Sequence, residues 1–145
     1  MPRYMQEMFN ALQGGDAARA SELQIRIWLD GESREPDQVD PVLRAKALAM
    51  NLIPVTRKTF LLADMQPVCP LDPCALTRLN KVCCPVFIVV GALDQPEVLR
   101  AADILASGTA NARKVIMDQS GHVPSYEQAD VFNVQLLTFL SEAGA

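Results

Sequence analysis

The chain is poor in several things that would have narrowed its function at once. It has one histidine, His122, and one tryptophan, Trp28, and aromatic residues make up only 6% of it. No apolar run approaches the eighteen or so residues needed to span a bilayer, so no membrane segment is expected. The opening residues, Met1-Pro2-Arg3-Tyr4-Met5-Gln6-Glu7-Met8, lack the apolar stretch of a secretory signal, and a cytoplasmic location follows by default. No glycine-rich loop with a phosphate-binding pattern follows a strand, which leaves nucleotide binding without support. Positive charge is also short: the net charge of −4 argues against nucleic acid and anionic membranes, both of which reward basic patches. No internal repeat or low-complexity segment is present.

What is there describes an ordinary soluble fold. At 145 residues a single domain is the natural expectation, and 50% hydrophobic with 21% charged residues is a globular composition. Such a chain buries about two thirds of its unfolded surface. The four cysteines, Cys69, Cys74, Cys83 and Cys84, are crowded together. Vicinal Cys83-Cys84 is ill suited to ligating one metal through both sulfurs, Cys69 and Cys74 are wider apart than the usual zinc pair, and no histidine lies nearby. The cysteines therefore read as buried or incidental thiols of a reducing compartment, with a redox or metal role as the lesser alternative. No metal and no cofactor is expected.

Periodicity divides the chain into a helical first half and an alternating second half. Tyr4, Met5, Met8, Phe9 and Leu12 form one apolar helical face closed by Gly14-Gly15. Asp16 caps a second helix with Ala20, Leu23 and Ile27 on its face, Trp28 beside it and Gly31 as the stop. After a polar loop over 32–40, Asp40-Pro41 starts a third helix through Leu43, Ala47 and Met50. Pro54, Pro67, Pro70 and Pro73 break residues 51–79 into short pieces, with one helix expected near 55–63. Residues 84–90 are a continuous apolar, β-branched run, the pattern of a parallel strand buried on both faces. Residues 95–107 read as an amphipathic helix (Val98, Ala101, Ala102, Leu105) and 113–117 as a second strand. A closing helix over 126–141 turns Phe132, Leu136, Phe139 and Leu140 inward.

Two polar residues follow the two strands. Asp94 ends the run Val86-Phe87-Ile88-Val89-Val90-Gly91-Ala92-Leu93, at the strand end where open α/β sheets gather their chemistry. His122 stands in the turn Ser120-Gly121-His122-Val123-Pro124 after the second strand. A carboxylate in Asp94's position can hold an imidazole's Nδ1–H, fixing its tautomer. The plainer alternative for Asp94 is a capping box, Asp94-Gln95-Pro96-Glu97, at the start of the helix.

In this order the two motifs resemble the acid and base of the α/β-hydrolase family, and nearly the whole chain finds a counterpart in the C-terminal half of that fold. The implied fold class is α/β, a truncated α/β-hydrolase. Residues 1–65 resemble the helical lid, 66–82 a connector, and 83–145 the β-α-β-α end of the hydrolase core with parallel strands. Gly15-Asp16 through Trp28-Leu29-Asp30-Gly31 is similar to a stretch of small bacterial hydrolases, and Ser125-Tyr126-Glu127-Gln128 to the start of the family's final helix. The resemblance implies Asp94 as the acid and His122 as the base. Trp28, with Leu29, Met50 and Phe60, would line an acyl pocket or, more simply, pack between lid helices.

The nucleophile elbow Gly-x-Ser-x-Gly is absent: none of Ser21, Ser33, Ser107, Ser120, Ser125 and Ser141 is flanked by glycine on both sides at that spacing. The expected function is therefore the acid and base of a Ser-Asp-His ester or acyl hydrolase, inactive without a nucleophile. A non-catalytic self-associating or binding module is the alternative, and a thiol or metal module a third. Without a strand on its outer side, 84–90 would form a bare apolar edge, which implies a homodimer through that strand or a second chain carrying the nucleophile half.

Overall fold

The computed structural model describes residues 4–62 and 71–144, which fall into two compact units, Met1–Gln66 and Pro67–Ala145. The connector expected over 66–82 lies partly outside the described residues, as does Cys69.

The first unit is helical. Helix α1 (Met5–Gly14) ends where Gly15 turns left-handed at φ 78°, a conformation that costs a glycine little. Asp16 caps α2 (Ala17–Ile25), its Oδ1 accepting the Arg19 N–H at 2.9 Å. The helix then widens into a π turn, Arg26–Asp30, that the periodicity does not reveal. Within the loop before α3 a short 3-10 turn, Pro36–Gln38, is held by Glu35 and Gln38. Helix α3 (Pro41–Thr56) starts on Asp40, which accepts from Val42 and Leu43 N–H, and runs through Pro54 instead of stopping before it. Pro54 sits in the last turn, where its missing N–H removes one bond, and the buried Val55 anchors that turn into the core. A short α4 (Thr59–Leu62) follows. The core gathers Met8, Leu12, Ala20, Leu23, Ile27 and Val55. Met50, expected to line a pocket or pack between lid helices, is 58% exposed.

Beside that core lies a buried ion cluster. Asp30, fully buried, receives the Arg44 guanidinium at 2.9–3.2 Å, and Arg26 stands 3.6 Å away. Arg44 also bonds Glu22 at 2.5 Å. Burial alone would lower the Arg44 pKa, but its hydrogen bonds to Asp30 and Glu22 outweigh it and raise it.

The second unit is the strand-bearing one. After a 3-10 segment, Ala75–Lys81, strand β1 (Val86–Gly91) pairs in parallel with β2 (Ala112–Met117), with Gly91 opposite Met117 so that the strands end level. Helix α5 (Pro96–Gly108) connects them. A short α6 (Pro124–Glu127) and α7 (Ala129–Ala143) follow, so the single closing helix expected over 126–141 is broken at Gln128. The helices take opposite faces of the sheet. Phe87 stacks on Phe139 of α7 at 4.9 Å, whereas Lys114, paired with Ile88 in register, reaches Asp103 of α5. Leu140 is 37% exposed rather than inward. In β1 only Val90 and Gly91 are buried, and Val86 to Val89 are half-buried, unlike the two-sided burial that the apolar run predicts. Among the described residues no second strand lies along the outer edge of β1.

Candidate functional site

The site is built from two loops that leave the same end of the sheet. Past Gly91, the Ala92 N–H donates to the Met117 carbonyl and the Leu93 N–H to the Ser120 carbonyl, both at 2.9 Å, which ties the Asp94 loop to the loop after β2. Gly91 is required at this crossing: a Cβ there would lie 2.1 Å from the Gly121 carbonyl oxygen and 2.2 Å from that of Ser120. Neither contact is possible for a real side chain.

So joined, the loops bring the two sequence candidates together. His122 Nδ1 lies 2.9 Å from Asp94 Oδ2 and 3.1 Å from Oδ1. The Asp94 side chain is 3% exposed and that of His122 41% exposed, so the carboxylate is enclosed while the imidazole opens to solvent. An ionised carboxylate only accepts, which assigns the proton to Nδ1 and makes Nε2 the ring's acceptor in the neutral form. Asp94 Oδ1 also accepts the Gln95 N–H at 2.7 Å. The alternative of a capping box on Asp94 is not met, for Gln95 takes the cap position of α5 and makes no side-chain capping bond there.

Trp28 belongs to the first unit, in the π turn, where it is 36% exposed while Ile27, Leu29 and Asp30 are buried. The side chain of Phe60 lies outside the described residues. Beside the pair, a groove of about 210 Å³ runs along β1 and α5, walled by Ile88, Val90, Val98, Ala102 and Leu105, with Asp94 and His122 at its end.

Sequence reasoning passes over Glu127 as a site residue. Its Oε1 accepts the Gly121 N–H at 2.7 Å, although the sequence places it only in the final helix. No group of three or more His, Cys, Asp or Glu side chains able to hold a metal occurs among the described residues. Cys74, Cys83 and Cys84 are free thiols and exposed, so of the two expectations, buried or incidental, burial does not hold for them. Hydrogen bonding from the Thr77 backbone N–H, then from its hydroxyl, lowers the Cys74 thiol pKa. No helix among the described residues is long and apolar enough to cross a membrane.

The parallel strand pair with helices on both faces matches part of a class, the α/β-hydrolase fold, in solved structures. Est816, an N-acyl homoserine lactone degrading enzyme, matches 96% of the chain at TM-score 0.67 and 20% identity. MenH from S. aureus matches 97% at TM-score 0.64 and 18% identity, and a membrane phospholipase A 99% at 0.51 and 16%. The chain spans about half the length of these structures, 52%, 55% and 46% in turn. No family model and no curated protein sequence matches it.

Proposed function

We propose that this chain supplies the acid and base of an ester or acyl hydrolase of the α/β-hydrolase type, with the nucleophile coming from another polypeptide segment. The observation that carries the reading is the 2.9 Å contact between an enclosed Asp94 and a solvent-facing His122. Asp94 holds the Nδ1–H and stabilises the imidazolium. His122 takes the nucleophile's proton at Nε2 and returns it to the leaving group. Trp28 is the proposed contact for the acyl portion of the substrate. An Asp–His pair without a nucleophile performs no acyl transfer, so the chain alone is inactive.

The test is an ester-hydrolysis assay with fluorophosphonate labelling. The chain alone should be neither active nor labelled. Co-expression with a Gly-x-Ser-x-Gly polypeptide encoded next to it should restore both, and His122→Ala should abolish them. Labelling of a serine in the isolated chain would overturn the split of the triad, and activity indifferent to His122→Ala would overturn the base.

A second reading, self-association without catalysis, has its own observation in the open outer edge of β1. Its occupant would be a second copy, paired antiparallel across a two-fold axis. Sedimentation should then show a dimer that Ile88→Pro disrupts by removing an edge donor. A monomer at micromolar concentration would end this reading.

A further inference from the structure

We propose that Glu127 is a positioning residue for His122, fixing the peptide plane from which the imidazole reaches Asp94. The inference rests on the reading of Asp94 and His122 as an acid–base pair. The peptide unit Ser120–Gly121 stands one unit before the histidine's own, and it is gripped at both ends. Its carbonyl accepts the Leu93 N–H from the Asp94 loop at 2.9 Å, and its N–H donates to Glu127 Oε1 at 2.7 Å. Gly91 lies flat against the same unit, leaving no room for it to tilt toward β1.

Of the two grips, only Glu127 comes from the His122 side of the site. Strand β2 has ended at Met117, so no ladder bond is left for Gly121, which is buried. A buried N–H without an acceptor is costly, and a carboxylate is the stronger class of acceptor. The turn that delivers this carboxylate is itself fixed. Tyr126 and Glu127 N–H both donate to the Val123 carbonyl, at 2.8 and 3.0 Å, which sets the Glu127 backbone one helical turn beyond His122. From there the side chain reaches back across six residues. Rotation of the Ser120–Gly121 plane would swing the His122 Cα–Cβ bond and carry Nδ1 out of range of Asp94, so Glu127 acts on the base without touching substrate.

The single histidine makes the test unambiguous. In the full chain, labelled with nitrogen-15, an Nδ1–H bonded to a carboxylate gives one low-field proton resonance, assignable to His122 alone. Wild type and Glu127→Gln, which keeps an Oε1 acceptor in place, should both show it. Glu127→Ala and Glu127→Asp, which removes a methylene, should lose it, with Gly121 amide exchange at least about tenfold faster. The Asp variant keeps the charge and the Gln variant keeps the reach, so their comparison stands even where the Ala variant fails to fold. Retention of the resonance in Glu127→Ala or Glu127→Asp, or its loss in Glu127→Gln, overturns the proposal while the acid–base reading survives. Its absence from wild type overturns both.

Discussion

Gly91→Ala perturbs the Asp94–His122 pair without touching either member, and its effect can be worked out from the backbone. The added Cβ would lie 2.1 Å from the Gly121 carbonyl oxygen, 2.2 Å from the Ser120 carbonyl oxygen and 2.6 Å from the Ser120 carbonyl carbon. All three are main-chain atoms, so no rotamer change relieves them. Non-bonded contacts settle at about 3.5–4.0 Å, so the two loops must part by roughly 1 Å or more. The Leu93 N–H to Ser120 carbonyl bond, 2.9 Å long, lies on that line of displacement and passes out of hydrogen-bonding range.

Overpacking of this kind costs about 1–3 kcal/mol. A buried bond left unmade adds about 1–3 kcal/mol. The gain from a less flexible unfolded chain, about 0.4–1 kcal/mol, runs the other way and is smaller. Destabilisation of the second unit by roughly 1–5.5 kcal/mol follows, centred near 3 kcal/mol. Trp28 fluorescence reports the first unit, so urea unfolding should be followed by the amide resonances of β1 and β2. The His122 Nδ1–H resonance should vanish in the same variant. A Gly91→Ala protein within about 1 kcal/mol of wild type, with that resonance intact, would refute the steric argument, because it would mean that the loops part freely.

Other perturbations read other parts of the chain. Asp30→Ala should destabilise the first unit by about 3 kcal/mol, the low end of the cost of breaking a buried pair, because it removes the buried carboxylate shared by Arg44 and Arg26 and leaves them Glu22 and Glu35; urea unfolding followed by Trp28 fluorescence measures it, and a loss below about 1 kcal/mol would mean that water reaches the cluster. Cys74, in a variant with Cys69, Cys83 and Cys84 changed to Ser, should reach half its limiting rate of iodoacetamide alkylation below the usual thiol midpoint of about pH 8.5, since a lowered pKa gives more thiolate at any given pH. A midpoint at or above that value would show that the Thr77 contacts are not kept in solution.

The parts of the fold legible in the sequence are those decided within a few residues. Asp16 and Asp40 cap helices because their acceptors reach N–H groups two or three positions on, and Gly15 stops α1 because a left-handed residue is needed there. The π turn escapes such reading because its cause is distant: Asp30 is drawn to Arg44 on another helix, and no local period records that. The break at Gln128 escapes it for a similar reason. Glu127 is pulled back to Gly121, which detaches α6 from the helix that the apolar spacing extends through it. Asp94 and His122 are legible by a different route, since a residue just past the end of each of two adjacent parallel strands must stand at one end of the sheet whatever the loops do.

The strand β1 is where sequence and surroundings disagree most. Val86-Phe87-Ile88-Val89-Val90-Gly91 contains no charge, proline or polar side chain, the devices by which natural edge strands resist pairing. Its composition is that of a central strand. Its setting is that of an edge: β2 covers one side, α5 and α7 cover the faces, and Val86 to Val89 are still only half-buried. An apolar groove between β1 and α5 has Asp94 and His122 in its lining. A lipid-like or acyl ligand would satisfy the groove's apolar walls but not the row of backbone N–H and C=O groups along the strand. Another strand satisfies both. The edge thus favours another strand over a small molecule as its occupant, and on the function proposed above a strand laid there from a nucleophile-bearing segment would end beside His122.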